Sequence, residues 1–337
     1  MNEPFHNHEL STAPINSAHL SDQCRIEVFI LTYERPEFFE LALKSILAQD
    51  YGNFCVIVSD NSVSDRTQNI VEKFVDSRIV YRRRKPSLPP MQHFNQILNE
   101  VSADYFMLFH DDDVMLPGCL NSLMHGYFRQ KNIAAVGGNS AIIIKNFVCH
   151  GKLFIGSGKN VLVRNPRELL MRYFLTLYNS PFPSYLYYRP AVGDLRLPTD
   201  LGKHADVIFL AEVARRGNIL MLPEVVMHYR LHESQDSAAY SFKDRRIFVN
   251  WVVGKRYFKI CSPEIRFYRL IGLMQKLRKR SCNKPRLTIR LLTALAVQYV
   301  KHFRLQFFFL FIRLAQRILQ NWYLQRKIAN ANHERGL

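Results

Sequence analysis

An apolar run at positions 105–109 is followed directly by His110 and by three adjacent aspartates, Asp111, Asp112 and Asp113. Such a short run, bounded by polar residues, predicts a strand that is buried on both faces. Three neighbouring carboxylates repel one another, so folding alone gives no reason to place them at the end of a buried strand. A divalent cation would remove that cost, because Mg²⁺ and Mn²⁺ take carboxylate oxygens as ligands. A solvated turn rich in aspartate is the alternative interpretation.

Strand and helix patterns alternate along the first third of the chain. Strands are predicted at residues 26–31, 55–59, 79–81 and 105–109, and helices at residues 36–49, 67–74 and 91–101. This alternation is typical of an α/β protein with a doubly wound, mostly parallel sheet. Ligands bind to such sheets at the carboxyl ends of the strands. The polar clusters 32–35, 60–61 and 111–113 each follow a strand, so we expect them to form one site.

The phosphate-binding glycine motifs of other α/β proteins do not occur in the sequence. It contains neither a GxGxxG fingerprint nor a GxxxxGK[ST] loop. If phosphates bind at this sheet edge, a metal and side chains must therefore hold them.

The pattern after the aspartates predicts a continuation of the same domain. Helices are expected at residues 116–129, 165–178 and within 200–217, and strands at residues 134–138, 140–144, 185–189, 219–222 and 225–231, with a hairpin or loop at 147–158. Residues 1–24 show no periodicity and predict a mobile leader.

The net charge of +18 is concentrated near the carboxyl terminus. Residues 255–327 hold eighteen Lys and Arg but a single acid, Glu264, whereas the first 254 residues are close to neutral. The six cysteines are scattered without a CxxC motif, which favours free thiols in a reducing compartment over a disulfide framework or a zinc site. The polar amino terminus does not have the pattern of a signal peptide.

Several motifs, taken in order, resemble those of family 2 glycosyltransferases. They lie at residues 29–36, 58–62, 110–113 with Pro117, 222–224 and 229–232. The resemblance covers roughly residues 25–240 and implies an inverting, nucleotide-sugar-dependent enzyme with the GT-A fold. On this basis the chain divides into the leader 1–24, a GT-A domain at 25–240 and a basic, helical region at 241–337.

The resemblance also implies roles for individual residues. The expected contacts of the nucleotide sugar are Thr32, Tyr33, Arg35, Asp60, Asn95, Asp111 and Arg230. Mn²⁺ or Mg²⁺ would be held by Asp112, Asp113 and His232, and would stabilise the leaving diphosphate as a Lewis acid. The alternative interpretations are structural: Thr32 and Asp60 as turn or cap residues, Arg35 as a solvated charge and His232 as a surface residue. A polar stretch at 233–237 fits a loop that closes over the diphosphate, and residues 181–183 are expected to shape the acceptor side of the cleft.

The family's acceptor-activating base is an aspartate at the start of a helix. Asp206 matches that position, although Ala205 stands where a Glu is usual. His204, with an unperturbed pKa suited to a base, is a weaker alternative. Asp206 is otherwise explained as an acid that the helix dipole favours at a helix start.

The basic region combines Lys and Arg with dense Leu, Ile and Phe. Its longest strongly apolar uncharged stretch, 305–312, is far shorter than the roughly 20 residues of a membrane-spanning helix. Amphipathic helices lying on an anionic membrane surface are predicted. An alternative is that these helices pack on the catalytic core. A third interpretation is nucleic-acid binding, which the hydrophobicity of the same region disfavours.

Together these features predict a cytoplasmic enzyme, peripheral on the inner face of the membrane. It would move sugar from a nucleotide-diphosphate sugar to a glycan or lipid-linked acceptor, in surface polysaccharide or lipopolysaccharide synthesis. A nucleotidyltransferase on a similar sheet is an alternative, although the segment 32–35 is not its usual glycine-rich, basic loop. A non-catalytic, membrane-bound scaffold that keeps the fold is another.

Overall fold

The computed structural model describes residues 24–144, 147–152, 158–175, 179–232 and 241–280. Within them the strands are β1 Ile26–Thr32, β2 Phe54–Asp60, β3 Ile79–Arg83, β4 Tyr105–His110, β5 Val114–Met115, β6 Ile133–Ile144, β7 Phe147–Lys152, β8 Val161–Val163, β9 Tyr185–Tyr188 and β10 Asn218–Leu231. The helices are α1 Pro36–Leu47, α2 Arg66–Val71, α3 Pro90–Glu100, α4 Cys119–Phe128, α5 Pro166–Phe174, α6 Arg189–Val192, α7 Ala205–Arg216, α8 Phe242–Gly254 and α9 Pro263–Arg280. The predicted α/β class is confirmed. The leader 1–23, the loop 233–240 and the basic segment 281–337 lie outside the described residues.

All ten strands join one mixed sheet in the order β3-β2-β1-β4-β9-β6-β10-β5, with β7 and β8 paired at its margins. The first four strands are parallel, as the alternation predicted. Strand β9 is antiparallel to both of its neighbours, β4 and β6. The chain enters β9 from the turn at Phe182–Ser184 and not through a crossover helix. Parallel strands need such a crossover, so β9 can be antiparallel to β4 and β6.

The sheet is buried on both faces, which explains the continuous apolar strands. In β1, Phe29 and Leu31 contribute to the core beneath α3, α5 and α7, whereas Val28 and Ile30 contribute to the core beneath α1 and α4. Side chains alternate across a strand, so each run supplies both layers.

The two predicted strands at 134–138 and 140–144 are one strand, β6. The glycines between them allow close packing rather than breaking the strand. A Cβ on Gly137 would lie 2.4 Å from Cε1 of Tyr185, and one on Gly138 would lie 2.1 Å from Cγ2 of Val226. The two predicted strands at 219–222 and 225–231 likewise form the single strand β10, which has register shifts between Met221 and Met227.

The C-terminal helices α8 and α9 pack against α5 and the turn at Gly202–His204. Ser241 caps α8 through a capping box with Asp244, in which the backbone N–H of each residue donates to the side chain of the other. Among the described residues, no helix has the length and apolar character needed to cross a bilayer.

Candidate active site

Three parallel strands bring their polar carboxyl ends to one edge of the sheet. The register pairs Thr32 with Asp60 across β1 and β2, and Leu31 with His110 across β1 and β4. The aspartates that follow β4 therefore lie beside the turn that follows β1. The convergence expected from the strand pattern is present in the structure.

Asp111 is held against the turn after β1. Its carboxylate accepts hydrogen bonds from the backbone N–H of Tyr33 at 3.1 Å and from Nη1 of Arg35 at 3.1 Å. Burial raises the pKa of Asp111 to about 7, although the charge of Arg35 opposes this shift. Asp111 therefore ties the turn after β1 to the acidic cluster.

Asp112 is the most heavily contacted of the three aspartates. Its Oδ2 lies 2.8 Å from Nη1 of Arg35 and 2.8 Å from Nε2 of His232. Burial alone would raise the pKa of this carboxyl, but the nearby charges of His110, His232 and Arg35 outweigh it and lower that pKa. Asp112 is thus kept as an anion that a cation can share.

Asp113 is buried, and among the described residues only one of its oxygens has a hydrogen-bond partner. Oδ1 accepts a hydrogen bond from the backbone N–H of Arg230 at 2.9 Å, whereas Oδ2 has no hydrogen-bond partner among the described residues. Burial and repulsion from Asp112 raise the pKa of Asp113 well above its usual value. A buried carboxylate oxygen without a hydrogen-bond partner lowers the stability of the folded protein, and a bound cation would remove that cost.

His110, Asp112 and Asp113 form the group best placed to hold a metal ion, because their ligand atoms all lie within 4.8 Å of one another. Two carboxylates and an imidazole are a donor set that fits a divalent cation. The expected set contained His232 in place of His110. His232 does reach Asp112, but the compact group contains His110, which stands directly before the aspartates in the sequence.

Arg230 supports this cluster from β10. Its Nε donates to the backbone oxygen of Asp112 at 2.7 Å, and its guanidinium lies 4.8 Å above the ring of Phe38. The nucleotide-sugar contact expected of Arg230 stays a prediction. In this structure Arg230 fixes the aspartate turn through both its side chain and its backbone N–H.

A cavity of about 430 Å³ opens beside the acidic cluster. Its lining residues come from the turn after β1, the start of α3 and the end of β4, and are Leu31, Thr32, Tyr33, Arg35, Asn61, Ser87, Leu88, Pro90, His93, Phe94, His110, Asp111, Asp112 and Tyr229. Of the expected nucleotide-sugar contacts, Thr32, Tyr33, Arg35 and Asp111 line it. No role was predicted for the lining residues on α3 or in the loop before it, because residues of these types are common in any loop and at any helix start.

Asp60 and Asn95 do not line this cavity, and the contacts with the nucleotide sugar expected of them stay predictions. Asp60 is fully buried and accepts hydrogen bonds from Tyr81 at 2.6 Å and from the backbone N–H of Ser62 at 2.9 Å. The amide of Asn95 pairs with the backbone N–H and oxygen of Leu197 at 2.8 and 2.9 Å. Both side chains therefore brace the fold. Asn61, next to Asp60, lines the cavity, but its amide also pairs with the backbone N–H and oxygen of Leu88, at 2.7 and 2.8 Å.

Glu34 locks the loop after β2 to the turn after β1. Its carboxylate accepts hydrogen bonds from the backbone N–H groups of Val63 at 2.7 Å and Ser64 at 2.8 Å, and from the Ser64 hydroxyl at 2.7 Å. The bonds from Ser64 lower the pKa of Glu34 to about 2. Glu34 adopts a left-handed backbone conformation, φ 52°, which turns its neighbours Tyr33 and Arg35 towards the cavity.

Asp206 is the second residue of α7, at the helix start where it was expected. Its Oδ1 is inaccessible to solvent and has no hydrogen-bond partner among the described residues. Burial raises the pKa of Asp206 to about 6, against the effect of nearby backbone N–H groups. A buried carboxyl with this pKa can accept a proton near neutral pH.

Phe182 lies between the cavity and the helix that carries Asp206. Its ring centroid is 5.8 Å from that of Phe94 and 6.3 Å from that of His110, both of which line the cavity. On its other side Phe182 packs against Phe209 of α7 at 6.2 Å. Phe182, in the segment 181–183 that was expected to shape the acceptor side, therefore joins the cavity lining to α7, the helix that carries Asp206.

The sequence of this domain matches a known family. Residues 27–189 match the family model described as glycosyl transferase family 2. The mixed α/β sheet, the acidic cluster at its edge and this match agree: residues 27–189 form a glycosyltransferase family 2 domain, and the reaction of the chain is glycosyl transfer. Asp206, Arg230 and His232 lie beyond the matched residues.

Curated relatives are also glycosyltransferases. An uncharacterized glycosyltransferase of Haemophilus influenzae is 26% identical over 226 residues, which cover 64% of this chain and 68% of that protein. A Campylobacter jejuni protein, GalNAc(5)-diNAcBac-PP-undecaprenol beta-1,3-glucosyltransferase, is 33% identical over 103 residues, 30% of this chain and 33% of the relative. These likenesses support the enzyme class.

Solved structures share the fold. Staphylococcus aureus TarS 1–349 in complex with UDP-GlcNAc has a TM-score of 0.55 at 16% identity and covers 77% of this chain and 73% of its own. The mannosyltransferase PcManGT of Pyrobaculum calidifontis, in complex with GDP-Man and Mn²⁺, has a TM-score of 0.50 at 15% identity, with coverage of 89% and 87%. At this identity the likeness establishes the GT-A fold alone.

Proposed function

We propose that this protein is a metal-dependent, inverting glycosyltransferase that uses a nucleoside-diphosphate sugar as its donor. The observation that carries this proposal is the acidic cluster at the sheet edge, where Asp112 is kept anionic and Asp113 Oδ2 is buried without a hydrogen-bond partner among the described residues. That arrangement is costly for folding alone and is suited to a cation that neutralises a diphosphate.

The nucleoside binds in the cavity bounded by the turn after β1 and the start of α3. Tyr33, half exposed at the rim, offers a ring to the base, while Thr32 offers a hydroxyl. Arg35 lies between this cavity and the aspartates, where its positive charge favours the diphosphate. The relatives' complexes with UDP-GlcNAc and GDP-Man support a nucleotide-sugar donor.

A divalent cation, Mn²⁺ or Mg²⁺, is held by Asp112 and Asp113 with a histidine. His110 belongs to the compact group, and His232 orients Asp112. When bound, the cation supplies Lewis-acid stabilisation of the charge that develops on the leaving diphosphate. The Mn²⁺ in the PcManGT complex supports this assignment.

Asp206 accepts the proton of the acceptor hydroxyl. The acceptor oxygen forms a bond to the anomeric carbon as the bond from that carbon to the diphosphate breaks, and attack from the opposite face inverts the configuration. The electron pair leaves with the nucleoside diphosphate, and the proton passes to the carboxylate. A pKa near 6 leaves Asp206 mostly ionised at neutral pH and therefore ready for this role.

The acceptor is a glycan or a lipid-linked sugar in surface polysaccharide or lipopolysaccharide synthesis. The Campylobacter relative, named for an undecaprenol-linked acceptor, supports this class. We also propose a cytoplasmic enzyme bound to the inner face of the membrane through the basic region. The charge of residues 255–327 supports attraction to anionic lipid. The part of that region beyond residue 280 lies outside the described residues.

A donor assay tests the proposal. The full chain is incubated with a panel of UDP-, GDP- and dTDP-sugars and Mn²⁺, and release of the nucleoside diphosphate is measured. We expect Asp112→Asn to lower turnover at least about a hundredfold, because it removes a ligand of the metal. The matched control is Asp104→Asn, a substitution of an exposed aspartate that pairs with Arg189. Equal activity of Asp112→Asn and the wild type would contradict metal-dependent transfer.

A further inference from the structure

The turn before α7 is held from one side by the helix α8. Gly202 in this turn has a φ of 70°, and a Cβ on it would lie 2.6 Å from Oδ1 of Asp244. Asp244 also accepts a hydrogen bond from the backbone of Lys203. The start of α8 thus fits tightly against the residues that lead into the helix of Asp206.

Helix α9 holds the same turn through a buried hydrogen bond. The hydroxyl of Tyr268 lies 2.6 Å from Nε2 of His204, and both side chains are buried. Burial and the charge of Arg245 lower the pKa of His204 to about 3, so the imidazole is neutral. Burial raises the pKa of Tyr268 to about 12, so its hydroxyl keeps its proton and is able to donate to Nε2 of the neutral His204.

The surrounding packing allows the two rings little freedom. His204 stacks on Phe248 of α8 with ring centroids 4.5 Å apart and an angle of 5° between the planes. Arg245 covers the ring of Tyr268 at 4.7 Å, and the absence of a side chain on Gly272 leaves room for that guanidinium. Both partners of the hydrogen bond are therefore fixed by the C-terminal helices.

The position of His204 determines the position of Asp206. His204 is the residue that precedes the first helical residue of α7, and Asp206 is the second residue of that helix. A helix advances 1.5 Å per residue, so a shift of its first turn carries Asp206 with it. A displacement of about 1 Å at a reacting group can cost about a hundredfold in rate.

We propose that Tyr268 is a positioning residue for the transfer reaction, which holds Asp206 against the acceptor through its hydrogen bond to His204. The C-terminal helices are then part of the catalytic apparatus and not only a covering of the domain. This inference rests on the proposed role of Asp206. It concerns the step that takes the acceptor's proton and not the binding of the donor.

The test is steady-state kinetics of the full chain with donor, acceptor and Mn²⁺. Tyr268→Phe keeps the ring beneath Arg245 and removes the hydroxyl. We expect kcat for transfer to fall about tenfold or more, with the KM for the nucleotide sugar unchanged, because only proton acceptance is disturbed. The matched control is Tyr257→Phe, which removes a hydroxyl 3.4 Å from Glu212 in the same region. An equal loss of kcat in the control, or a raised KM for the donor with kcat unchanged, would overturn the proposal.

A double-mutant cycle separates positioning from general loss of structure. His204→Leu should lose as much kcat as Tyr268→Phe, and the double variant should lose no more than either single variant. His204→Gln, whose amide oxygen can accept the Tyr268 hydrogen bond, should retain most of the transfer rate. Additive losses would refute the inference. Asp206→Asn distinguishes the two claims: if it keeps full transfer, the assignment of the base is wrong, whereas if it alone loses transfer, only the role of Tyr268 is wrong.

Discussion

The guanidinium of Arg35 donates to Oδ2 of Asp112 at 2.8 Å, on the carboxylate assigned to the metal. The same nitrogen also contacts Asp111 at 3.1 Å. A positive side chain therefore stands within the acidic cluster and stabilises the anions. A metal ion must share these carboxylates with Arg35 or displace it, so the arginine and the ion are competitors until a diphosphate gives the arginine another partner.

Removal of the competing charge should strengthen metal binding. We expect Arg35→Met to tighten Mn²⁺ binding in the absence of nucleotide by about tenfold, because a cation close to the site is lost. Binding is measured by isothermal titration calorimetry. Arg25→Met, at an exposed arginine 3.9 Å from Glu27, is the control and should leave the affinity unchanged. Weaker Mn²⁺ binding by Arg35→Met would show that the arginine does not compete.

The two histidines of the cluster should differ in their effect on the metal. His110 belongs to the compact group of ligand atoms, whereas His232 contacts Asp112 as a hydrogen-bond partner. We expect His110→Ala to weaken Mn²⁺ binding more than His232→Ala, with losses of about tenfold to a hundredfold for a ligand or its partner. Electron paramagnetic resonance of free Mn²⁺ measures this, with His125→Ala on α4 as the control. A larger loss of Mn²⁺ affinity in His232→Ala than in His110→Ala would favour the ligand set expected from the sequence, in which His232 and not His110 accompanies the aspartates.

The ionisation of Asp206 should appear in both activity and stability. The titratable groups that face Asp206 are Tyr185 and Tyr187 of β9 and Tyr268 of α9. Burial raises the pKa values of all three, so they are neutral between pH 5 and 7. With a pKa of about 6, Asp206 should give a transfer rate that rises with pH to about 6 and is level above it. A rate independent of pH between 5 and 7 would contradict this.

The effect of Asp206 on stability has the opposite sign to that of a paired carboxylate. Its folded pKa lies above the usual value, so the folded state binds more protons and the free energy of unfolding falls as pH rises from about 4 to about 6. Asp206→Asn should therefore be more stable than the wild type at pH 7, by about 3 kcal/mol. Thermal melts at pH 4 and pH 7 measure the difference, which should vanish at the lower pH.

Loss of the Glu34 carboxylate should weaken donor binding. Glu34→Gln replaces the acceptor of the Ser64 hydroxyl with an amide and removes the charge that strengthens the bonds from the backbone of Val63 and Ser64, so the turn that carries Tyr33 and Arg35 becomes less fixed. We expect the KM for the nucleotide sugar to rise several-fold with a smaller change in kcat, because the turn contributes to binding. Glu37→Gln, at a side chain that is 80% exposed, is the control. An unchanged KM in Glu34→Gln would argue against this role.

The sequence predicted what depends on local periodicity. The strand ending at His110 and the parallel pairing of β1 to β4 follow from apolar runs that are buried on both faces. The sequence pattern could not reveal that β9 is antiparallel, because strand direction depends on where the chain enters the sheet. Nor could it show that the strand through Gly137 continues to Ile144, since the glycines that suggested a break are needed for the close packing of Tyr185 and Val226.

The site was predicted as a location more accurately than as a set of contacts. The aspartates, Tyr33 and Arg35 gather at one edge because the strand ends do so. Asp60 lies at that edge too, but its oxygens are taken by Tyr81 and the backbone of Ser62. Which oxygen faces a ligand depends on partners distant in sequence, and no pattern around position 60 identifies them.

Helix α9 connects two properties of the chain that the sequence alone presents as separate modules. Tyr268 lies in its first half, and the helix continues to Arg280, about 18 Å further along the axis at 1.5 Å per residue. The basic segment begins at that end. One continuous helix thus runs from the start of the basic segment to the tyrosine that bonds to His204, in the turn before Asp206. A tilt of this helix would reach that turn directly, through a single hydrogen bond.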